Sequence, residues 1–325
     1  MPGTSDDKID QQIADLQQVA EMESGEELER RLVKALANRH YRVVAAAAKI
    51  CEERFVYALE KQLVEAFRRL TNNPVKKDPN CIAKNALIRA LTALDCSDVN
   101  FFLETLHYQQ MEPVWGGSVD TAVDIRGSAA MGLANTGYHR AAMELAPMLM
   151  DPEVPVRRQV VQAIAVLRVD QAEPLLRLKA VSGDEEPEVM AEVLSTLIRM
   201  EPELSAPFVA AFMEDEDPVV VESAVLALGD ATAVETLEPL INHYEEISIQ
   251  PEERRLLIRG IALHRHERAM SWLLEQLVES SQPIAVAIIE TLAEFRHTDP
   301  VGRQIAAAVE ERGEAKILEF FTQLW

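Results

Sequence analysis

Cysteine is scarce in this chain, with three in 325 residues. Cys51, Cys81 and Cys96 are odd in number and show no CxxC spacing, which excludes a disulfide framework and a thiolate zinc knuckle. They read as small core fillers of a protein expected in a reducing, cytoplasmic setting. Aromatic residues are also few, at 5%, which leaves little material for base-stacking platforms. Positive charge is the next shortage: 32 Lys and Arg face 54 Asp and Glu, a formal net charge of −22. Such a field repels phosphate backbones and sets the chain against nucleic acid as a partner. No apolar run approaches the roughly 18 residues needed to span a bilayer, so no membrane insertion is expected. The opening MPGTSDDKIDQQ is polar and acidic, unlike a secretory signal.

The motifs of catalysis and cofactor binding are missing too. Neither GxxxxGK[ST] nor GxGxxG occurs, and Gly116-Gly117 alone makes no phosphate cradle. Acidic runs such as GDEEPE and EDEDP lack the alternating Asp, the Gly and the closing Glu of a calcium loop. The seven histidines are scattered, and His264 and His266 stand two apart, which sends them to different sides of a helix. No nucleophile, base and orienting residue share a recognisable spacing. The expectation is a non-catalytic protein with no metal site and no cofactor.

Apolar residues make up 48% of the chain, and their arrangement is periodic. Reading VDIRGSAAMGL, VPVRRQVVQAI, PEVMAEVLSTL and PVVVESAVLAL one under another puts Ile125, Val156, Val189 and Val220 in register, at spacings of 31, 33 and 31. Eight residues later in each stand Leu133, Ile164, Leu197 and Leu228. The comb extends forward to Glu253 with Ile261 and Ile284 with Leu292, and backward to Ala83 with Leu91 and Val43 with Cys51. Within a unit the apolar spacing is helical, as at Val156, Val160, Val161, Ile164 and Leu167, and alternating strand patterns are absent. A period of 30 to 40 residues with two helical stripes per unit means stacked helix pairs. Five residues before each register position stand Asn38, Asp78, Asp120, Asp151, Asp184, Asp215, Ser248 and Glu279, most of which can cap a helix or turn through a short side chain.

The phrase DPEVPVR, with Asp151 six before Arg157, the same offset at Asp120 and Arg126, the variant Asp78 and Lys84, and ALGDATAVETLEPLI at 227–241 together resemble the HEAT-repeat family. The likeness is to its short, phycobilisome-lyase-like type and covers roughly residues 30–310. It implies an all-α, right-handed α-solenoid of about eight helix pairs with helical caps at both ends, and an Asp–Arg ladder between neighbouring repeats. Met190, Val221 and Ala285 replace the basic partner, so the ladder should be interrupted there.

The expected layout is an amphipathic cap helix over 1–25, two enlarged repeats with a Trp-containing loop over 26–119, short repeats over 120–300, and capping helices over 301–325. Ser24 and Glu27 suit a capping box. Ile9, Ile13, Leu16 and Ala20 form the stripe of the first helix, and Ile317, Leu318, Phe321, Leu324 and Trp325 that of the last. The loop HYQQMEPVWGGSVD presents Trp115, either as a partner contact or as a plug where long and short repeats meet.

Positions two, six and ten residues after each register residue should form an outward ridge on the second helices, which line the concave face in the resembled family. From that ridge Arg89, Met131, Arg158, Gln162, Arg199, Leu226, Arg255 and Arg259 are the expected contacts for a protein segment, with Trp115 added from the loop. The function expected is a scaffold, adaptor or assembly chaperone whose partner is a protein. The alternative that the resemblance implies is a bilin lyase subunit acting on a phycobiliprotein, and only then would bilin be bound.

Overall fold

A computed structural model of the chain describes residues 5–23, 25–246, 251–294 and 299–325. The fold is all-α, built from helix pairs in two compact units, Met1–Leu175 and Leu176–Trp325.

The first unit holds α1 (Ser5–Ala20), α2 (Glu26–Leu36), α3 (Tyr41–Glu53), α4 (Glu60–Leu70), the short α5 (Pro74–Lys77), α6 (Ile82–Ala93) and α7 (Val99–Thr105). A hairpin of β1 (Met111–Val114) and β2 (Gly117–Asp120) follows, then α8 (Val123–Asn135), α9 (Ala141–Leu145) and α10 (Val154–Ala165). The second helices of the pairs, α3, α6, α8 and α10, pack on one another in chain order. Their register residues Val43, Ala83, Ile125 and Val156 are buried, as are Cys51, Leu91, Leu133 and Ile164 one face-repeat later. Each buried Val, Leu or Ile side chain stabilises by about 1.5–3 kcal/mol. The comb is therefore the core.

Helix α11 (Val169–Ser182) crosses the boundary between the units. The second unit continues with α12 (Pro187–Met200), α13 (Pro202–Ala210), α14 (Pro218–Gly229), α15 (Leu237–Glu245), α16 (Pro251–Leu263), α17 (Glu267–Glu279), α18 (Gln282–Ala293), α19 (Asp299–Arg312) and α20 (Ala315–Leu324). Here α12, α14, α16 and α18 form the layer of second helices. The comb slips towards its end: Glu253 is exposed and Ile284 half-buried, and the cores of their helices are Leu257, Ile258 and Ile261, and Ala285, Ile288, Ile289 and Leu292.

The turns explain why the second helices start where they do. Asn38, Asp120, Asp151, Asp184 and Asp215 each accept a hydrogen bond from the backbone N–H two residues on, at 2.9 Å in every case. These Asx turns aim the chain into the helix, and Pro155, Pro187 and Pro218 then occupy its first turn, where a missing N–H costs nothing. Asp78 works differently, reaching the N–H groups of Ala83 and Lys84 at 2.8 and 3.0 Å. Ser248 lies outside the described residues, as does Ser24 of the expected capping box; Glu27 instead pairs with Arg30 and Arg31.

The ladder is present in the first unit. Arg126 holds Asp120 of its own repeat at 2.5 Å and Asp151 of the next at 2.9 Å, all three side chains being almost wholly buried. Lys84 and Asp78 meet at 2.8 Å with no exposure at all. Where Met190 interrupts the pattern, Lys179 from the preceding helix reaches Asp184 at 2.7 Å.

The two terminal helices are packed to different degrees. Helix α1 lies on α3 with Leu16 and Val19 buried, and Arg54 donates to the carbonyls of Ala20 and Met22. At the other end Ile317 is buried, whereas Leu318 is about half exposed, so the last stripe is only partly sealed.

Candidate functional site

The ridge residues fall on the surface of the second-helix layers, as their spacing requires. In the first unit Arg89 on α6, Met131 on α8 and Gln162 on α10 line a single groove of about 340 Å³, together with Glu52 and Gln159. Its floor is shaped by Gly127: a Cβ there would stand 2.0 Å from Gln159 Oε1, so the amide side chain lies directly over the helix backbone. Arg158 sits half-buried on α10, outside the lining. In the second unit Arg199 lines a separate depression of about 280 Å³ with Ser195 and Asp230. Leu226 is half-buried on α14, and Arg255 and Arg259 are exposed on α16, all outside that depression.

The arginines are less available than their count suggests. Arg89 pairs with Glu52 at 3.1 Å, Arg199 with Glu192 at 3.4 Å, and Arg259 with Glu222 at 3.9 Å. In each pair the guanidinium is more than half exposed, whereas Glu52 and Glu192 are largely buried and only Glu222 is about as open as its arginine. In each unit these ridge arginines are thus matched by neighbouring carboxylates.

The Trp-containing segment differs most from its sequence reading. It is an antiparallel hairpin in register Met111 to Asp120 and Val114 to Gly117, with Trp115-Gly116 as the two-residue turn. Gly116 takes the φ of +90° that this turn needs. Trp115 at the tip is 104% exposed, which rules out the plug, and Met111 and Val114 beside it are about half exposed.

The base of the hairpin is rigid. Glu112 Oε1 accepts from Gln110 Nε2 at 2.7 Å, Thr121 Oγ1 at 2.8 Å and the Asn80 N–H at 2.6 Å. Gln110 Nε2 also donates to the Asp78 carbonyl at 3.0 Å, and Arg126 Nη1 to the Tyr108 carbonyl at 3.1 Å. Burial pushes the Glu112 carboxyl up, but the hydrogen bonds from Gln110, Thr121 and Asn80, with Lys84 nearby, hold it below the usual carboxylate value. Asn80 and Cys81 both adopt left-handed backbone, φ 57° and 54°, a costly pairing for non-glycine residues that the Glu112 contact secures. Cys81 is no nucleophile, because burial pushes its thiol up to about 11.

One grouping escaped the sequence reading. Glu214, His243 and Glu246 bring their ligand atoms within 4.8 Å of one another. The sequence signal is an i,i+3 His–Glu pair at a helix end with a carboxylate one repeat earlier, a spacing that differs from adjacent His–Glu or His–x–His pairs.

No protein-family profile matches the chain, and no curated protein matches it in sequence. Solved structures do. The E. coli protein YibA is similar over 90% of this chain and 98% of its own, at 14% identity and a TM-score of 0.45. The complex of CpcE and CpcF of phycocyanin lyase from Nostoc is similar over 94% of this chain and 97% of that one, at 15% identity and a TM-score of 0.33. Human deoxyhypusine hydroxylase is similar over 88% of this chain and 98% of its own, at 11% identity and a TM-score of 0.31. At these values the likeness goes no further than helical architecture, and the all-α fold of stacked helix pairs rests on the chain's own elements.

Proposed function

We propose that this chain is a non-catalytic protein-binding scaffold or adaptor, of a kind that can also serve as an assembly chaperone. Its partner segment lies along the second-helix face of the first unit and is anchored by Trp115. The observation that carries this reading is the exposure of Trp115 on a hairpin whose base is fixed by three hydrogen bonds to one buried carboxylate oxygen. An indole held rigidly in water loses little entropy when a pocket closes on it, and Trp is the residue most enriched at binding hot spots. Burying its surface of about 150–250 Å² contributes on the order of 5 kcal/mol before losses. The groove beside Arg89, Met131 and Gln162 supplies a second contact with polar groups.

The test is capture from native lysate with the wild-type chain, with Trp115→Ala, and with Arg89→Glu and Met131→Glu combined. A protein retained by the wild type and lost from both variants, with circular dichroism unchanged, is the expected result. Equal recovery by all three chains would sink the proposal. A coloured eluate carrying bilin would replace it with the lyase reading.

A further inference from the structure

We infer that Glu214, His243 and Glu246 form a binding site for a zinc-type divalent cation that ties two neighbouring repeats of the second unit together. The three ligand atoms already lie within 4.8 Å of one another. His243 Nδ1 stands 3.6 Å from Glu246 Oε2. A tetrahedral zinc with bonds of about 2.0–2.1 Å separates its ligands by roughly 3.3 Å, so this pair is already close to its bound spacing. His243 is held by packing, with only 14% of its side chain exposed, and Glu246 is freely hydrated at 58%. Glu214 is exposed at the end of a 3₁₀ turn, Ala211–Glu214, and can close the remaining gap by side-chain rotation.

The surroundings favour a cation. Glu214 ends the continuation of α13, and Glu246 directly follows α15, so the carbonyl ends of two helices converge on the cluster. Asp215, Glu216 and Asp217 add exposed negative charge next in sequence. The donor set selects the metal. One imidazole and two carboxylates suit zinc and its transition-metal neighbours, whereas magnesium and calcium call for six or more oxygens. Three protein ligands leave a fourth position for water.

Because Glu214 belongs to the repeat of α13 and α14 and the other two ligands to that of α15 and α16, bound metal is a clip between repeats, and it binds the folded state only. The test uses the full chain, free of any affinity tag and stripped with EDTA, titrated with zinc chloride by calorimetry and followed by thermal melting. One zinc per chain with a raised melting temperature is expected, with magnesium and calcium inert at the same concentration. His243→Ala and the exposed Glu246→Gln should each weaken zinc binding at least tenfold, the Glu246→Gln apo-protein melting like wild type, while His139→Ala binds normally. Absence of saturable one-to-one binding, or wild-type affinity in Glu246→Gln, overturns the inference.

Discussion

Gly229 of α14 and Gly260 of α16 meet backbone to backbone: a Cβ on Gly229 would stand 2.4 Å from the Gly260 carbonyl oxygen. The obstacle is main chain rather than a side chain that can turn away. Two neighbouring second helices therefore approach as closely as they do only because both positions lack a side chain.

Gly229→Ala should destabilise the second unit by about 3 kcal/mol, the upper range for overpacking, even though alanine is the better helix former. Urea denaturation measures it. A gain in stability, as helix propensity alone predicts, would show that the helices can separate freely.

Arg126 is the most consequential charge of the first unit. Arg126→Met leaves the carboxylates of Asp120 and Asp151 buried without their guanidinium, at a cost of about 3–5 kcal/mol. Adding Asp120→Asn and Asp151→Asn to that variant should restore part of the loss, because uncharged amides need no counter-ion. A urea midpoint series over wild type, Arg126→Met and the triple variant reads both effects.

Acid should act on the two units at different pH. His264 Nε2 bonds the Ala233 carbonyl at 2.9 Å and Thr236 Oγ1 at 3.1 Å, while its buried Nδ1 has no partner among the described residues. Burial lowers its pKa below 6.5. The folded second unit thus takes up a proton less readily than the unfolded chain, so its stability is full above about pH 6.5 and declines as pH falls below it. Glu112 and Asp120, both held below their ordinary values, protect the first unit until pH drops through the carboxylate range. His264→Gln should flatten the pH 5–7 part of a thermal-melt profile and leave the part below pH 4.5 unchanged.

The thiols should be inert in the native protein. Burial pushes Cys51 and Cys96 up to about 12 and Cys81 to about 11, so few thiolates exist at neutral pH. An aromatic disulfide reagent should react with none of the three until urea unfolds the chain, and then with all of them.

The helix pairs were legible because their cores repeat: Ile125, Val156, Val189 and Val220 stand in register and are all buried. The ladder could be read as far as Arg126, but the rescue of Asp184 by Lys179 could not, since the lysine comes from outside the motif. The hairpin was missed because its inward residue is Glu112 while Met111 and Trp115 face water, which inverts the polarity that strand recognition depends on. Glu253 misled in the opposite way, a register position whose helix buries Leu257 and Ile258 instead. Of the cluster of Glu214, His243 and Glu246 only the i,i+3 pair of His243 and Glu246 shows in the sequence, because Glu214 joins them through space from the repeat before.

Three donors meeting at a single oxygen of Glu112 anchor the hairpin to the helices beneath it. A pull on the Trp115 indole would run through Val114 and Pro113 to Glu112 and from there into the Asn80 amide. The adjoining segment is the left-handed Asn80–Cys81 step, and behind it lies the sealed pair of Asp78 and Lys84. Load at the tip would therefore pass into the buried hydrogen-bonded base of the hairpin, and a tethered partner would be carried by the helix stack rather than by a swinging loop.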